Sequence, residues 1–321
     1  MEKRRLGHSG PEITTVGFGA WAAGGPWKVG WGPQSDADSI AAIRRSVERG
    51  MNWIDTAAIY GLGHSEEVVG QAVKGLPREQ ALIFTKCGRV PDETGTPRSD
   101  LRPDSIRRQV EESLRRLQRD VIDLYQIHWP DNETGTPIEE SWAVMAELQD
   151  QGKVCWLGVS NFDVPLLERC EAIRHVDSLQ PPYSLLRRDV EAEILPWCQA
   201  HGVGVIVYSP MQSGLLSGSF SLERVAEDDW RRRSPFFQEP QLSRSLAFVE
   251  RLRPIAARRG KTVGQLAIAW TLRNPAVTGA IVGARRPEQV EENAGAMGWQ
   301  LTDSEMAEIE AALQSLSSPL S

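Results

Sequence analysis

Met51-Asn52-Trp53-Ile54-Asp55 is a short apolar run that ends on a carboxylate, and Tyr60 follows five residues later. Two further runs end the same way. Ala81-Leu82-Ile83-Phe84-Thr85 closes on Lys86, and Leu124-Tyr125-Gln126-Ile127 closes on His128. Read as successive parallel strands of a barrel, these runs carry Asp55, Tyr60, Lys86 and His128 to one mouth, where barrel enzymes place their chemistry. An acid, a phenol, an amine and an imidazole gathered there make a proton donor suited to carbonyl reduction.

Short strand-like runs alternate with helical stretches along the rest of the chain. A hairpin is expected across Arg4–Gly7 and Ile13–Val16, around His8-Ser9-Gly10-Pro11, followed by a first barrel strand at Val16–Gly19. Helices are expected at 38–49, 65–74, 103–118, 137–151, 164–172, 191–201, 242–258 and 263–272, and after Arg286. Thr302-Asp303-Ser304-Glu305 reads as a capping box that opens a last helix. The later strands fall at 154–159, 178–180, 203–207 and 279–282. The pattern gives eight strands, each followed by a helix, and thus a (β/α)8 barrel in one domain spanning residues 1–321. A doubly wound sheet is the rival fold, but no Gly-x-Gly-x-x-Gly follows an early strand. Residues 91–100 and Glu227–Pro240 read as exposed loops.

A formal charge of −7 offers no basic footprint for nucleic acid. No apolar run is long enough to span a bilayer, and no secretory leader opens the chain, so the expected location is the cytoplasm. Cys87, Cys155, Cys170 and Cys198 match no zinc or redox spacing and read as reduced thiols, mostly buried. No metal site is expected.

The segment Trp53-Ile54-Asp55-Thr56-Ala57-Ala58-Ile59-Tyr60-Gly61 resembles the signature of the aldo-keto reductase superfamily. So do Lys86, Leu124–His128, Gly158-Val159-Ser160-Asn161-Phe162 and Tyr208-Ser209-Pro210, in order along essentially the whole chain. The pattern is most similar to the bacterial general-stress and sugar-aldehyde branch. The resemblance implies a barrel with an N-terminal hairpin and reversible hydride transfer between a nicotinamide and a carbonyl. By the same resemblance Tyr60 donates the proton, Lys86 lowers the phenol's pKa, Asp55 keeps Lys86 charged and His128 orients the carbonyl oxygen.

The resemblance also implies a cofactor site. Ser160, Asn161 and Gln180 would bond the nicotinamide carboxamide, and Tyr208 would stack on the ring. The stretch Ser209-Pro210-Met211-Gln212-Ser213-Gly214-Leu215 would cradle the pyrophosphate, and Gly19, Ala20 and Trp21 belong to the same site. Gly283, Arg285, Gln289, Glu292 and Asn293 would hold the adenosine end. Many members of the superfamily carry Lys where Gly283 stands and Arg where Gln289 stands, and Arg285 is expected to compensate as the phosphate grip. NADPH is thus the expected cofactor, with NADH the alternative. Trp21, Ile59 and Trp129, with residues near Phe236 and Phe237, are expected to line the substrate pocket. Only a short tail, Ser317–Ser321, follows the last helix, which leaves the pocket open.

The expected activity is NADPH-dependent reduction of small aldehydes or ketones by a monomer or weak oligomer. An NAD-dependent alcohol or polyol dehydrogenase of the same fold is the second reading. The third is a nicotinamide-binding regulatory subunit with little turnover, since the superfamily also resembles the β subunits of potassium channels.

Overall fold

A computed structural model describes residues 2–314 and 316. The expectation for Ser317–Ser321 lies outside the described residues. The N-terminal hairpin pairs β1 (Lys3–Arg5) with β2 (Glu12–Thr14) in antiparallel register. Then come β3 (Val16–Gly19), α1 (Asp36–Glu48), β4 (Trp53–Asp55), α2 (His64–Ala72) and β5 (Leu82–Cys87). A second hairpin follows, β6 (Arg89–Pro91) and β7 (Pro97–Ser99), and then α3 (Pro103–Leu117). The alternation continues with β8 (Ile122–Ile127), α4 (Ile138–Asp150), β9 (Val154–Ser160), α5 (Val164–Glu171), β10 (Ser178–Gln180), α6 (Ile194–His201) and β11 (Gly204–Val207). It ends with α7 (Gln241–Ala257), α8 (Val263–Leu272), β12 (Val277–Gly283), α9 (Pro287–Ala294) and α10 (Asp303–Gln314).

Strands β3, β4, β5, β8, β9, β10, β11 and β12 close a barrel in chain order, and every pair is parallel. The eight-strand expectation therefore holds, as does the first hairpin, which underlies the barrel floor. Residues 91–100 are not simply a loop. Pro91 and Pro97 pair across the second hairpin. Glu227–Pro240 holds two short 3-10 turns, Trp230–Arg233 and Pro235–Phe237, and Phe237 is buried. Helix α1 begins two residues before the expected start, because the Ser35 side chain accepts from Asp38 N–H as its N-cap. The 191–201 helix splits into a 3-10 turn at Asp189–Glu191 and α6.

Alternation along the strands sorts residues between two cores. Ile54, Ile83, Tyr125 and Ile127 point outward against the helices. Trp53, Leu82, Phe84, Leu124, Ile206 and Ile281 point inward and join Leu6 and Ile13 of the hairpin. The barrel is thus a packed plug at its lower end. Trp53 is its centre, with the ring 5.2 Å from Phe84 and Nε1 donating to Thr14 O at 2.8 Å. The indole fits because Gly17 faces it: a Cβ there would lie 2.1 Å from the ring. Stepping two residues up each inward column leads from Trp53 to Asp55, from Phe84 to Lys86 and from Leu124 to Gln126. The apolar plug is the floor on which those polar groups stand.

Replacing Gly17 by Ala should lower stability by about 2 kcal/mol or more, since neither the ring nor the strand has room to yield. Thermal melting measures this, and an unchanged Tm would contradict the packing described.

Candidate active site

Lys86 and Asp55 meet above the plug. Lys86 Nζ donates to Asp55 Oδ1 at 2.6 Å and to Thr56 O at 2.8 Å, and both side chains are almost fully buried. Asp55 Oδ2 accepts from Gln180 Nε2 at 2.8 Å and from Gln126 Nε2 at 3.5 Å. Gln180 Nε2 also reaches Gln126 Oε1 at 3.3 Å. Gln126 is wholly buried, and Gly158 makes room for it: a Cβ at 158 would lie 2.9 Å from Gln126 Cγ. The sequence reading missed Gln126. The signal was a polar residue at an inward position of an otherwise apolar strand, in register with Lys86.

Tyr60 stands at the start of a short 3-10 turn, over the ammonium. Lys86 Nζ is 5.2 Å from the centre of its ring. The His128 ring packs edge-on against it at 5.6 Å, one residue past the end of β8. Burial, followed by the Asp55 carboxylate, holds the Tyr60 phenol well above its usual pKa. Burial also lowers the Lys86 ammonium, opposed by Asp55 and Glu66. His128 is pushed well below its usual value by burial and by the charges of Lys86 and Arg89. The phenol is therefore protonated and the imidazole neutral near pH 7, and both can donate a hydrogen bond.

A cavity of about 770 Å³ opens over this group at the C-terminal ends of the strands. Asp55, Tyr60 and His128 line it, while Lys86 lies beneath the wall. Gly19, Trp21, Ile59, Trp129, Ser160, Asn161, Gln180 and Tyr208 line it as well. So do Ser209, Pro210, Met211, Ser213, Gly214, Gly283, Arg285, Gln289, Glu292 and Asn293, along with Phe236 and Phe237. Ala20 and Leu215 do not line it. Ala20 is buried in the outer core, and Leu215 packs with Phe237 and Leu242.

The wall is held by its own bonds. Asn161 Nδ2 donates to His128 O at 3.1 Å, and Tyr208 OH donates to Asn161 Oδ1 at 2.8 Å. Ser160 Oγ donates to Gln180 O at 2.8 Å. Ser209, Gln212, Ser213 and Gly214 all have positive φ, a tight turn of the kind that gathers backbone N–H groups. At the far end, Arg285 Nε donates to Gln34 Oε1 at 2.7 Å and its Nη2 to Pro33 O. Gln289 Oε1 accepts the Arg285 backbone N–H at 2.7 Å. Arg285 thus clasps the loop before α1, and Gln289 caps its backbone. A long cavity with polar side chains at Ser160, Asn161 and Gln180, a half-buried tyrosine ring, a gathered-amide turn and a helix start has the dimensions and chemistry to suit a nicotinamide dinucleotide.

Residues 15–314 match the aldo/keto reductase family. The chain belongs to that family. It is accordingly a nicotinamide-dependent oxidoreductase. It is 38% identical to the aldo-keto reductase YhdN of Bacillus subtilis, over 98% of this chain and 94% of the relative. It is 36% identical to the NADH-specific methylglyoxal reductase of Escherichia coli, over 98% of this chain and all of the relative. Among solved structures, the glycerol dehydrogenase of Gluconobacter oxydans superposes with a TM-score of 0.89 at 37% identity, covering 99% of this chain and 97% of that one.

A folded-state pKa below the ordinary 6.5 means that His128 contributes stability at higher pH, and that this contribution is lost as pH falls below the unfolded value. The His128 ring resonances should stay those of a neutral imidazole from about pH 5.5 to 8. NMR detects this directly, and a midpoint near 6.5 would contradict the burial of the ring.

Proposed function

We propose that the chain reduces small aldehydes or ketones to alcohols, with Asp55, Tyr60, Lys86 and His128 as its catalytic group. The observation that carries this reading is the paired placement of a protonated phenol and a neutral imidazole on the cavity wall, directly above the buried Lys86–Asp55 pair. A bound nicotinamide dinucleotide supplies the hydride. Tyr60 OH gives its proton to the carbonyl oxygen, and the imidazole donates a hydrogen bond that fixes where this oxygen sits. Lys86 stands ready to stabilise the phenolate left behind, and Asp55 keeps it charged while Gln126 and Gln180 orient Asp55. Trp21, Ile59 and Trp129 form the apolar side of the substrate pocket.

Tyr208 is read as the face on which the nicotinamide ring rests. Ser160 and Asn161 are read as its amide partners, and the 209–214 turn as the pyrophosphate cradle. The cofactor proposed is NADPH, with Arg285 as the cation for a terminal phosphate. NADH is the second reading, favoured by one observation: Arg285 is already bonded to Gln34 and Pro33, and Gly283 and Gln289 bring no charge.

Tyr60→Phe should lower kcat by about a hundredfold or more and leave cofactor affinity within about twofold. Fluorescence titration and steady-state turnover of short aldehydes measure the two quantities. Near-full activity in this variant would refute Tyr60 as donor. Arg285→Ala should weaken NADPH binding about tenfold with little change for NADH. Equal loss for both cofactors would remove Arg285 as a phosphate ligand.

A further inference from the structure

Gly88 follows the last residue of β5 with φ +87, and a Cβ there would lie 2.4 Å from Leu101. The chain therefore turns out of the barrel just past the Lys86 layer and crosses the mouth as β6, the first strand of the second hairpin. Its first residue, Arg89, lines the cavity with Pro97, His128 and Trp129. The Arg89 side chain is 23% exposed. Nη1 donates to Ser99 Oγ at 3.2 Å. The nearest carboxylate is Glu133, whose Oε1 lies 3.9 Å away, beyond hydrogen-bond reach, and already accepts from Ser99 N–H. Among the described residues no acceptor meets Arg89 Nε or Nη2, and neither is a sealed, buried atom. The two other arginines on the cavity wall sit differently. Arg285 is clasped at the far end, and Arg187 is on the Tyr208 side, 3.9 Å from Asp189. Arg89 is the cation of the carbonyl end, and its charge is felt at the His128 ring.

A guanidinium edge made of Nε and Nη2 presents two parallel N–H groups, the fork that matches a carboxylate. We propose that Arg89 is the anion-recognising residue of the substrate pocket, and that it selects short carbonyl compounds carrying a carboxylate a few bonds from the reacting carbon. The inference rests on the carbonyl-reduction reading and narrows its substrate class. With the carbonyl oxygen at Tyr60 and His128, the carboxylate reaches Arg89 while the linking methylenes lie against Trp129. Glu133 competes weakly for the same cation and sets how strongly a substrate anion is held.

The experiment compares succinic semialdehyde with butanal, its uncharged counterpart, in the full chain with either nicotinamide cofactor. Arg89→Met should raise KM for succinic semialdehyde roughly tenfold or more while shifting KM and kcat for butanal by less than about twofold. Arg89→Lys should recover part of the loss. Glu133→Gln should move the other way and lower KM for succinic semialdehyde. Thermal melting of each variant separates misfolding from lost recognition. Equal losses on both aldehydes, or an unchanged preference in a folded Arg89→Met, would overturn this proposal while leaving carbonyl reduction standing. Failure of the unmodified protein to turn over butanal or succinic semialdehyde with either cofactor would overturn the reduction reading itself.

Discussion

The Lys86–Asp55 ion pair is the constraint around which the upper barrel is arranged. Taking two charges out of water is costly, and their attraction offsets that cost only if the remaining donors and acceptors are also met. Here they are. The ammonium has Asp55 Oδ1 and Thr56 O, and the second carboxylate oxygen has Gln180 and Gln126. Glu66, itself bonded to Thr85 and Arg116, adds a second negative charge that supports Lys86 from outside the barrel. Asp55, Lys86 and Gln126 each sit toward the upper end of a strand that begins with an apolar residue, while Glu66 and Arg116 stand on the helices outside. Removing one partner of such a pair costs about 3–5 kcal/mol, because it strands the other. The site and the fold therefore share one energetic element.

The chemistry follows from the same burial. Burial leaves the phenol above Lys86 protonated, and burial together with the charges of Lys86 and Arg89 leaves the imidazole neutral, both in the state needed to meet a carbonyl oxygen. Two loops then shape what can approach. The second hairpin crosses from the β5 side, and Lys28 ties the loop carrying Trp27 to Thr94 at its tip. The stretch after β11 brings Trp230 against Trp21 and Trp31, with ring centres 5.7 and 6.0 Å away. The aromatic cluster and Arg89 both line the cavity, so its mouth offers a positive charge as well as an apolar surface.

Much of this was legible in the sequence. A strand buried in a barrel is a short apolar run, and three such runs end on a charged or polar residue that has no reason to follow them except a role at the mouth. That is why the eight strands and the grouping of Asp55, Tyr60 and His128 around Lys86 could be read in advance. The second hairpin could not, because Arg89-Val90-Pro91 and Pro97-Arg98-Ser99 are short, polar and proline-bearing, and they pair only with each other. Gln126 was hidden because one amide inside an apolar strand looks incidental until the register sets it beside Lys86. The raised pKa of Tyr60 depends on how completely the phenol is buried and on the nearby Asp55 carboxylate. The bonding of Arg285 depends on where the loop before α1 comes to rest. Both are three-dimensional facts with no local signature.

A double-mutant cycle on Asp55 and Lys86, read in both melting temperature and turnover, tests the central claim most directly. Asp55→Asn and Lys86→Met should each destabilise the protein strongly, because each leaves a buried charge or its partner unmatched. The double variant should be clearly more stable than the two losses summed, yet remain as inactive as either single variant. Strictly additive stability losses, or an Asp55→Asn protein that keeps near-full turnover, would contradict the account in which one buried pair supports both the barrel and its chemistry.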